Sequence, residues 1–276
     1  MKFAAHTLAL AAGLLALGCV DPVTGPPVVA TAAPNFIIGG TPTGSAFGNV
    51  GAVMYDFAGD RLDADDWFCT GTLISPTVFL TAAHCLDFLP AGSQIYVSFD
   101  PSTSVTPLHA IAARGFVFDP LFGKSGSEPH DIGVVILPAR ATNGITPATL
   151  PPLGFLEKLA AQNGLNGQLF LNVGYGGDAT RTGTPTFTYD GVRRVSLSPF
   201  QSLQDSWLVL KINSNATGAG GDCYGDSGGP KFLEGNTSMV VALVVTGDVP
   251  CRSTSKDYRL DIPAARSFLA PFVALP

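Results

Sequence analysis

Apolar residues along this chain recur in short runs separated by Gly, Pro and small polar residues. Gly71 to Ser75 and Val78 to Ala83 flank a Ser-Pro turn, and Gln94 to Phe99 places Ile95, Val97 and Phe99 on one face. That alternation predicts a strand half covered by a core. The unbroken apolar run Ile132 to Leu137 predicts one buried on both faces. Further strands are expected at Gln168 to Val173, Val192 to Leu197, Trp207 to Ile212 and Met239 to Thr246. The one strong helix signal comes last: Asp261 as a cap, Pro263 in the first turn, then an Ala-Ala-Arg-Ser-Phe-Leu-Ala run. Many short strands with one terminal helix predict an all-β sandwich or a pair of barrels. A boundary between Pro151 and Gly167 would divide the strand-rich region into comparable halves, and no internal repeat is visible. The acidic run Asp60 to Asp66 reads as a solvated hairpin tip in preference to a calcium loop.

Composition agrees with a loop-rich β protein. Of 276 residues, 32 are Gly and 22 Pro, while 46% are hydrophobic and 13% charged. The net charge of −6, with no Lys/Arg cluster, argues against nucleic acid and anionic membrane surfaces as partners. The first residues depart from the strand pattern. Residues 1–18 carry Lys2 and an apolar stretch from Leu8 to Leu17 that is too short to span a bilayer, as expected of an export signal. The stretch ends in Ala16-Leu17-Gly18-Cys19, which suits signal peptidase and also resembles a bacterial lipobox in which Cys19 would be acylated. Residues 19–36 hold four prolines and almost no charge, so they read as a Pro-rich tether or pro-segment. Four further cysteines, Cys69, Cys85, Cys223 and Cys251, suit two disulfides and an oxidising, extracytoplasmic location, either secreted or membrane-anchored. No CxxC spacing supports a zinc site.

Three motifs carry chemistry: Thr81-Ala82-Ala83-His84-Cys85, then His130-Asp131-Ile132-Gly133-Val134-Val135, then Gly225-Asp226-Ser227-Gly228-Gly229-Pro230. A serine hydroxyl is a weak nucleophile and needs a base within hydrogen-bond reach. Histidine supplies one, because its pKa lies near 6.5 in the absence of perturbation. These motifs resemble the TAAHC, DIAL-like and GDSGGP signatures of chymotrypsin/trypsin-like serine proteases. Phe68 to Ser75 is similar to that family's strand before the catalytic histidine, Ile37-Ile38-Gly39-Gly40 to its mature N-terminus, and Asn172 to Gly176 to its A-G-W-G strand. The resemblance runs from Ile37 to the C-terminal helix. It implies two antiparallel β-barrels, about 37–155 and 165–276, within a protease domain 37–276. It also implies a peptide-cleaving triad of His84, Asp131 and Ser227, with the Gly225 and Ser227 amides as oxyanion hole.

The same resemblance implies disulfides Cys69–Cys85 and Cys223–Cys251, a substrate pocket at Gly221, Asp222 and Gly247, and an activation pair between Asp226 and the α-amino group of Ile37. His109 and His130 are expected to be surface or loop residues. Several positions depart from the family pattern. Gly221 stands where trypsins carry the pocket acid, and the acid comes one place later, at Asp222. Val245 replaces a serine that supports the catalytic Asp. Lys256 is placed to enter the pocket and neutralise Asp222, which leans specificity away from basic side chains. Phe36, not a base, precedes Ile37. No metal or cofactor is expected, and the partners are protein or peptide substrates of a monomer. Two other functional classes fit the sequence less well. A catalytically idle binding module is opposed by the complete triad. An α/β-hydrolase esterase is opposed by the triad order and the missing GxSxG in a strand–helix setting.

Overall fold

The structure is a computed structural model that describes residue 37 and residues 39–124, 127–179 and 187–276. The expected signal, Cys19, the Pro-rich segment and Ile38 lie outside the described residues. Sixteen strands are present among them, and fourteen form two seven-stranded antiparallel sheets. A short strand β1 (Thr41–Pro42) precedes the first sheet, which contains β2 (Val50–Met54), β3 (Trp67–Ser75), β4 (Val78–Thr81), β5 (Tyr96–Ser98), β6 (Ala110–Ala112), β7 (Gly115–Phe118) and β8 (Gly133–Ile136). Its order is β6-β5-β2-β3-β4-β8-β7. The edge strands β6 and β7 are consecutive, parted only by Ala113 and Arg114, so one bent strand joins both edges of the sheet. That curls the sheet on itself and leaves it no long free edge.

The chain then passes through helix α1 (Phe155–Ala161), β9 (Leu169–Gly174) and a small hairpin of β10 (Asp178–Ala179) and β11 (Phe187–Thr188). The second sheet adds β12 (Arg194–Leu203), β13 (Trp207–Lys211), β14 (Pro230–Leu233), β15 (Asn236–Gly247) and β16 (Thr254–Arg259) to β1 and β9. Its order is β1-β12-β13-β16-β15-β14-β9, and a further β12–β9 pairing closes a ring. Helix α2 (Ser214–Thr217) interrupts the second half, and α3 (Pro263–Leu269) ends the fold. The expected pair of antiparallel barrels with a short terminal helix is therefore present. Each strand expected from the apolar pattern has a counterpart, and the acidic run lies in the β2–β3 hairpin loop, where only its last residue, Asp66, is buried.

The packing shows why these residues form these strands. All five residues of β2 are buried, and Gly51 faces Gly71 across the β2–β3 ladder. A Cβ on Gly71 would lie 2.3 Å from both the Phe79 ring and Leu80 O, so the bare backbone makes room for Phe79 at the barrel centre. Phe79, Val97 and Val135 belong to one apolar core that extends to Phe232, Leu243 and Tyr258 of the second sheet. Burying each such side chain contributes about 1.5–3 kcal/mol.

A charged residue also joins the two halves. Arg193 is 1% exposed. Its Nη1 donates to Val50 O at 2.8 Å and Phe99 O at 2.9 Å, and its Nη2 to Ala46 O at 3.0 Å and Gly44 O at 3.2 Å. The guanidinium thus satisfies carbonyls of the first half from a residue that leads into β12.

Two helix expectations need correction. Helix α1 was not expected: it has seven residues and buries only Leu156, too little for a helical repeat to register. Asp261 does not cap α3, whose N-cap is the extended Ile262. Asp261 instead accepts the Leu156 amide at 2.7 Å and pairs with Arg259 at 2.9 Å. Its carboxylate is drawn to the stronger, buried donors and stabilises α1.

Candidate active site

The β4–β8 ladder pairs Thr81 with Gly133. It therefore sets the turn after β4 beside the residues before β8. His84 sits on that turn, a 3₁₀ segment Ala83–Cys85. Asp131 Oδ1 accepts the His84 backbone amide at 2.9 Å, and Oδ2 meets His84 Nδ1 at 2.8 Å. Asp131 is 5% exposed and His84 32% exposed, so the acid is buried and the imidazole reaches the cleft. With Nδ1 donating to Asp131, Nε2 is left as the basic nitrogen.

His109 and His130 are loop residues, as expected, but differ in burial. His109 is exposed and meets Asp100 at 3.1 Å, whereas His130 is 12% exposed and meets Asp119 at 2.9 Å.

Ser227 lies in a turn shaped by two glycines at positive φ, Gly225 at 92° and Gly228 at 80°. A Cβ on Gly228 would lie 2.2 Å from Thr81 Oγ1 and 2.5 Å from Thr70 O. The turn is pinned from both sheets. Gly228 N donates to Val244 O at 2.8 Å, while Thr70 N donates to Ser227 O and Thr70 Oγ1 to Gly225 O, each at 2.9 Å. No hydrogen bond joins His84 to Ser227 among the described residues, although both line one cleft of about 980 Å³. Such contacts commonly tighten only when substrate binds.

Asp226, 1% exposed, faces inward. Its Oδ1 accepts the Gly176 amide at 2.8 Å and Oδ2 the Cys223 amide at 2.9 Å. Burial pushes its carboxyl up to about 7, against the pull of the two amides and with Asp222 adding to the rise. A Cβ on Gly174 or Gly176 would come within 2.2 Å of these oxygens, which explains the need for glycine on both sides of Tyr175. Ile37 is fully buried, and in the continuous chain it has no free α-amino group with which to meet Asp226.

Both implied disulfides are present, Cys69–Cys85 and Cys223–Cys251. They hold Cys69 to the His84 turn and tie Cys251, which lines the cleft, to the segment that carries Ser227. Asp222 and Gly247 line the cleft, whereas Gly221 does not. Ile212 covers it: a Cβ on Gly221 would lie 2.2 Å from Ile212 Cγ2.

The expectation for Lys256 is overturned. Lys256 is exposed on β16, and the cation beside Asp222 is Lys231 of β14, fully buried. Lys231 Nζ donates to Asp222 Oδ1 and lies 3.3 Å from Asp257 Oδ1. Sequence reasoning missed Lys231 because an isolated lysine between Pro230 and Phe232 carries no sign of its partners, which lie on other strands. The pinning role of Thr70 was missed for the same reason.

Comparison with known proteins agrees with this geometry. The trypsin family model matches residues 47–268. Brachyurin from Leptuca pugilator is 31% identical over 227 residues, covering 75% of this chain and 91% of brachyurin. Human heparin binding protein superposes with a TM-score of 0.61 at 16% identity, covering 86% of this chain and 96% of that one. HL collagenase does so with a TM-score of 0.57 at 16% identity, covering 80% and 92%. The chain belongs to the trypsin family and is a serine-type endopeptidase.

Proposed function

We propose that the chain hydrolyses peptide bonds through an acyl-enzyme on Ser227. The observation that carries this reading is the double hold of Asp131 on His84 at the edge of the cleft. Nε2 takes the Ser227 hydroxyl proton as Oγ attacks the scissile carbonyl carbon. The Gly225 and Ser227 amides donate to the oxyanion that forms. When the tetrahedral adduct collapses, the carbon–nitrogen bond breaks and His84 gives its proton to the leaving amine. Water then attacks the ester with His84 again as base, releasing the acid and restoring Ser227. Asp131 keeps the imidazole in the productive tautomer and stabilises its charged form throughout. Gly247 supports the substrate backbone beside the pocket that Asp222 lines.

Activation follows from Ile37 and Asp226. Cleavage after Phe36 frees an α-amino group that replaces the amide contacts of Asp226 and draws its carboxyl down from about 7. Residues 1–18 direct export, and acylated Cys19 with residues 19–36 holds the precursor at a membrane until cleavage after Phe36 releases the active enzyme. Release of a Cys19→Ala precursor into the soluble fraction tests the tether. The substrates are proteins or peptides, and no cofactor enters the reaction.

Covalent labelling with a fluorophosphonate probe tests the central claim. A chain beginning at Ile37 should be labelled on Ser227, and Ser227→Ala should not. Absence of label on the wild-type chain, or label at another residue, overturns the mechanism.

A further inference from the structure

We propose that Lys231 is a built-in counter-ion for the pocket carboxylate Asp222, which makes the floor of the cleft a receptor for uncharged side chains and excludes Arg and Lys. The inference rests on the protease reading above and specifies its substrate class.

Asp222 is the only acidic side chain among the described residues that lines the cleft from the segment just before Ser227. Taken alone it would attract a basic side chain. Every strong contact of its carboxylate, however, points away from the cleft. Oδ1 accepts from Lys231 Nζ, and Oδ2 accepts from Ser255 Oγ at 2.7 Å. Lys231 is wholly buried, and its remaining contacts are Asn172 Oδ1 and, at 3.3 Å, Asp257 Oδ1. An unpaired buried ammonium is too costly to persist, so its charge must be balanced inside the fold.

Two acids touch this one cation, and a third, Asp226, acts on it from farther off and is balanced by the Ile37 α-amino group in the proposed active form. The two in contact would leave a net negative charge for a substrate cation to meet. Asp257 removes that excess. Burial pushes its carboxyl up to about 8, more than Lys231 draws it down, so at neutral pH it keeps its proton. Ser255 Oγ lies 2.8 Å from Asp257 Oδ1, placed to accept this proton while donating its own to Asp222. The set is then one cation, one anion and one neutral acid. A guanidinium or ammonium entering the cleft would lose its water and find Asp222 already neutralised. Ile212 and Val244 line the same cleft. Of its other acids, Asp190 pairs with Arg194 and Asp248 accepts the amides of Arg252, Ser253 and Thr254, which leaves Asp65 as an exposed acid of the cleft. Small or medium apolar side chains fit such a floor.

The test uses matched peptide substrates with Arg or Leu before the scissile bond, together with p-aminobenzamidine, whose fluorescence reports cation binding without catalysis. Wild type should favour Leu and bind the amidine weakly. Lys231→Met should raise the Arg-to-Leu ratio of kcat/KM, and the amidine affinity, by about 10-fold or more by exposing the Asp222 charge. An unchanged ratio and affinity in a folded Lys231→Met would overturn the proposal. If that variant does not fold, the neutral triple variant Lys231→Met/Asp222→Asn/Asp257→Asn replaces it. Its ratio should stay within about 3-fold of wild type, because one neutral floor replaces another. A fall of about 10-fold or more in Arg cleavage would show that Asp222 was a free receptor in the wild type. Failure of the catalytic reading would appear separately, as loss of fluorophosphonate labelling while amidine binding still reports the pocket.

Discussion

Asp131 grips His84 at two points, with one carboxylate oxygen on the backbone amide at 2.9 Å and the other on Nδ1 at 2.8 Å. Position and tautomer of the base are thus set by a single buried side chain. His84 and Ser227 should then act as a unit. Ser227→Ala is expected to lower kcat by on the order of 10⁶-fold, His84→Ala by a similar factor, and the double variant by little more. Single-turnover kinetics on the three variants check this. Losses that multiply would mean that the two side chains act independently. Asp131→Asn should preserve the fold yet favour the wrong tautomer, with a loss on the order of 10⁴-fold as in triads of this kind.

The glycines around Tyr175 give a second prediction. Gly176→Ala would put a methyl group 2.2 Å from Asp226 Oδ2 and force the carboxylate out of its seat. Processing after Phe36 should continue, because the cleavage site is remote from residue 176 in sequence, but the product should be inactive. N-terminal sequencing starting at Ile37 in both variant and wild type, with activity only in wild type, is the expected result. Full wild-type activity with residues 19–36 still attached would refute activation through Ile37.

Arg193 predicts a stability effect with little direct chemistry. Arg193→Met keeps the stem but strips donors from four backbone carbonyls, those of Gly44, Ala46, Val50 and Phe99. A loss of about 3 kcal/mol or more in unfolding free energy is expected, since buried acceptors without partners are costly. Denaturant melts check it, and a loss below about 0.5 kcal/mol would place the guanidinium among ordinary surface cations.

Asp257 predicts a pH dependence. Its carboxyl titrates at about 8 in the folded chain against an ordinary 3.8. Between those values the folded state holds a proton that the unfolded state gives up. The contribution is therefore fully present at the acid end, falls as pH rises through the window, and levels off above about 8. The stability of wild type relative to Asp257→Asn should decline from pH 5 to pH 8. A relative stability that rises over this range would show an acid ionised in the fold.

Much of this was legible in the residues before the fold was known. The strands were visible because half-buried or fully buried β-residues leave a periodic trace, as in Gln94 to Phe99 and Ile132 to Leu137. The His84 and Ser227 segments and the four disulfide cysteines stood out because catalysis and cross-linking demand rare residue types in fixed neighbourhoods. Features made by distant partners were not legible. Lys231 looks like any surface lysine until Asn172, Asp222 and Asp257 close around it. Asp261 looked like a helix cap because local sequence names a cap but not the competing amide of Leu156, 105 residues away. Lys256 was mistaken for the pocket cation because side-chain direction at the β15–β16 bulge cannot be read from spacing.

Three of the hydrogen bonds of Thr70 have a wider consequence. A residue of the first barrel donates to Ser227 O and Gly225 O while its own hydroxyl accepts the Tyr175 amide at 3.2 Å. The turn of the proposed nucleophile is thereby latched by a strand from the opposite half, as the bolt of a lock is held by its frame. If Ser227 is the nucleophile, neither barrel alone carries the reaction, and a slight parting of the two should silence it while leaving each sheet intact. On the proposed mechanism, catalytic output would thus depend on the two barrels being correctly assembled.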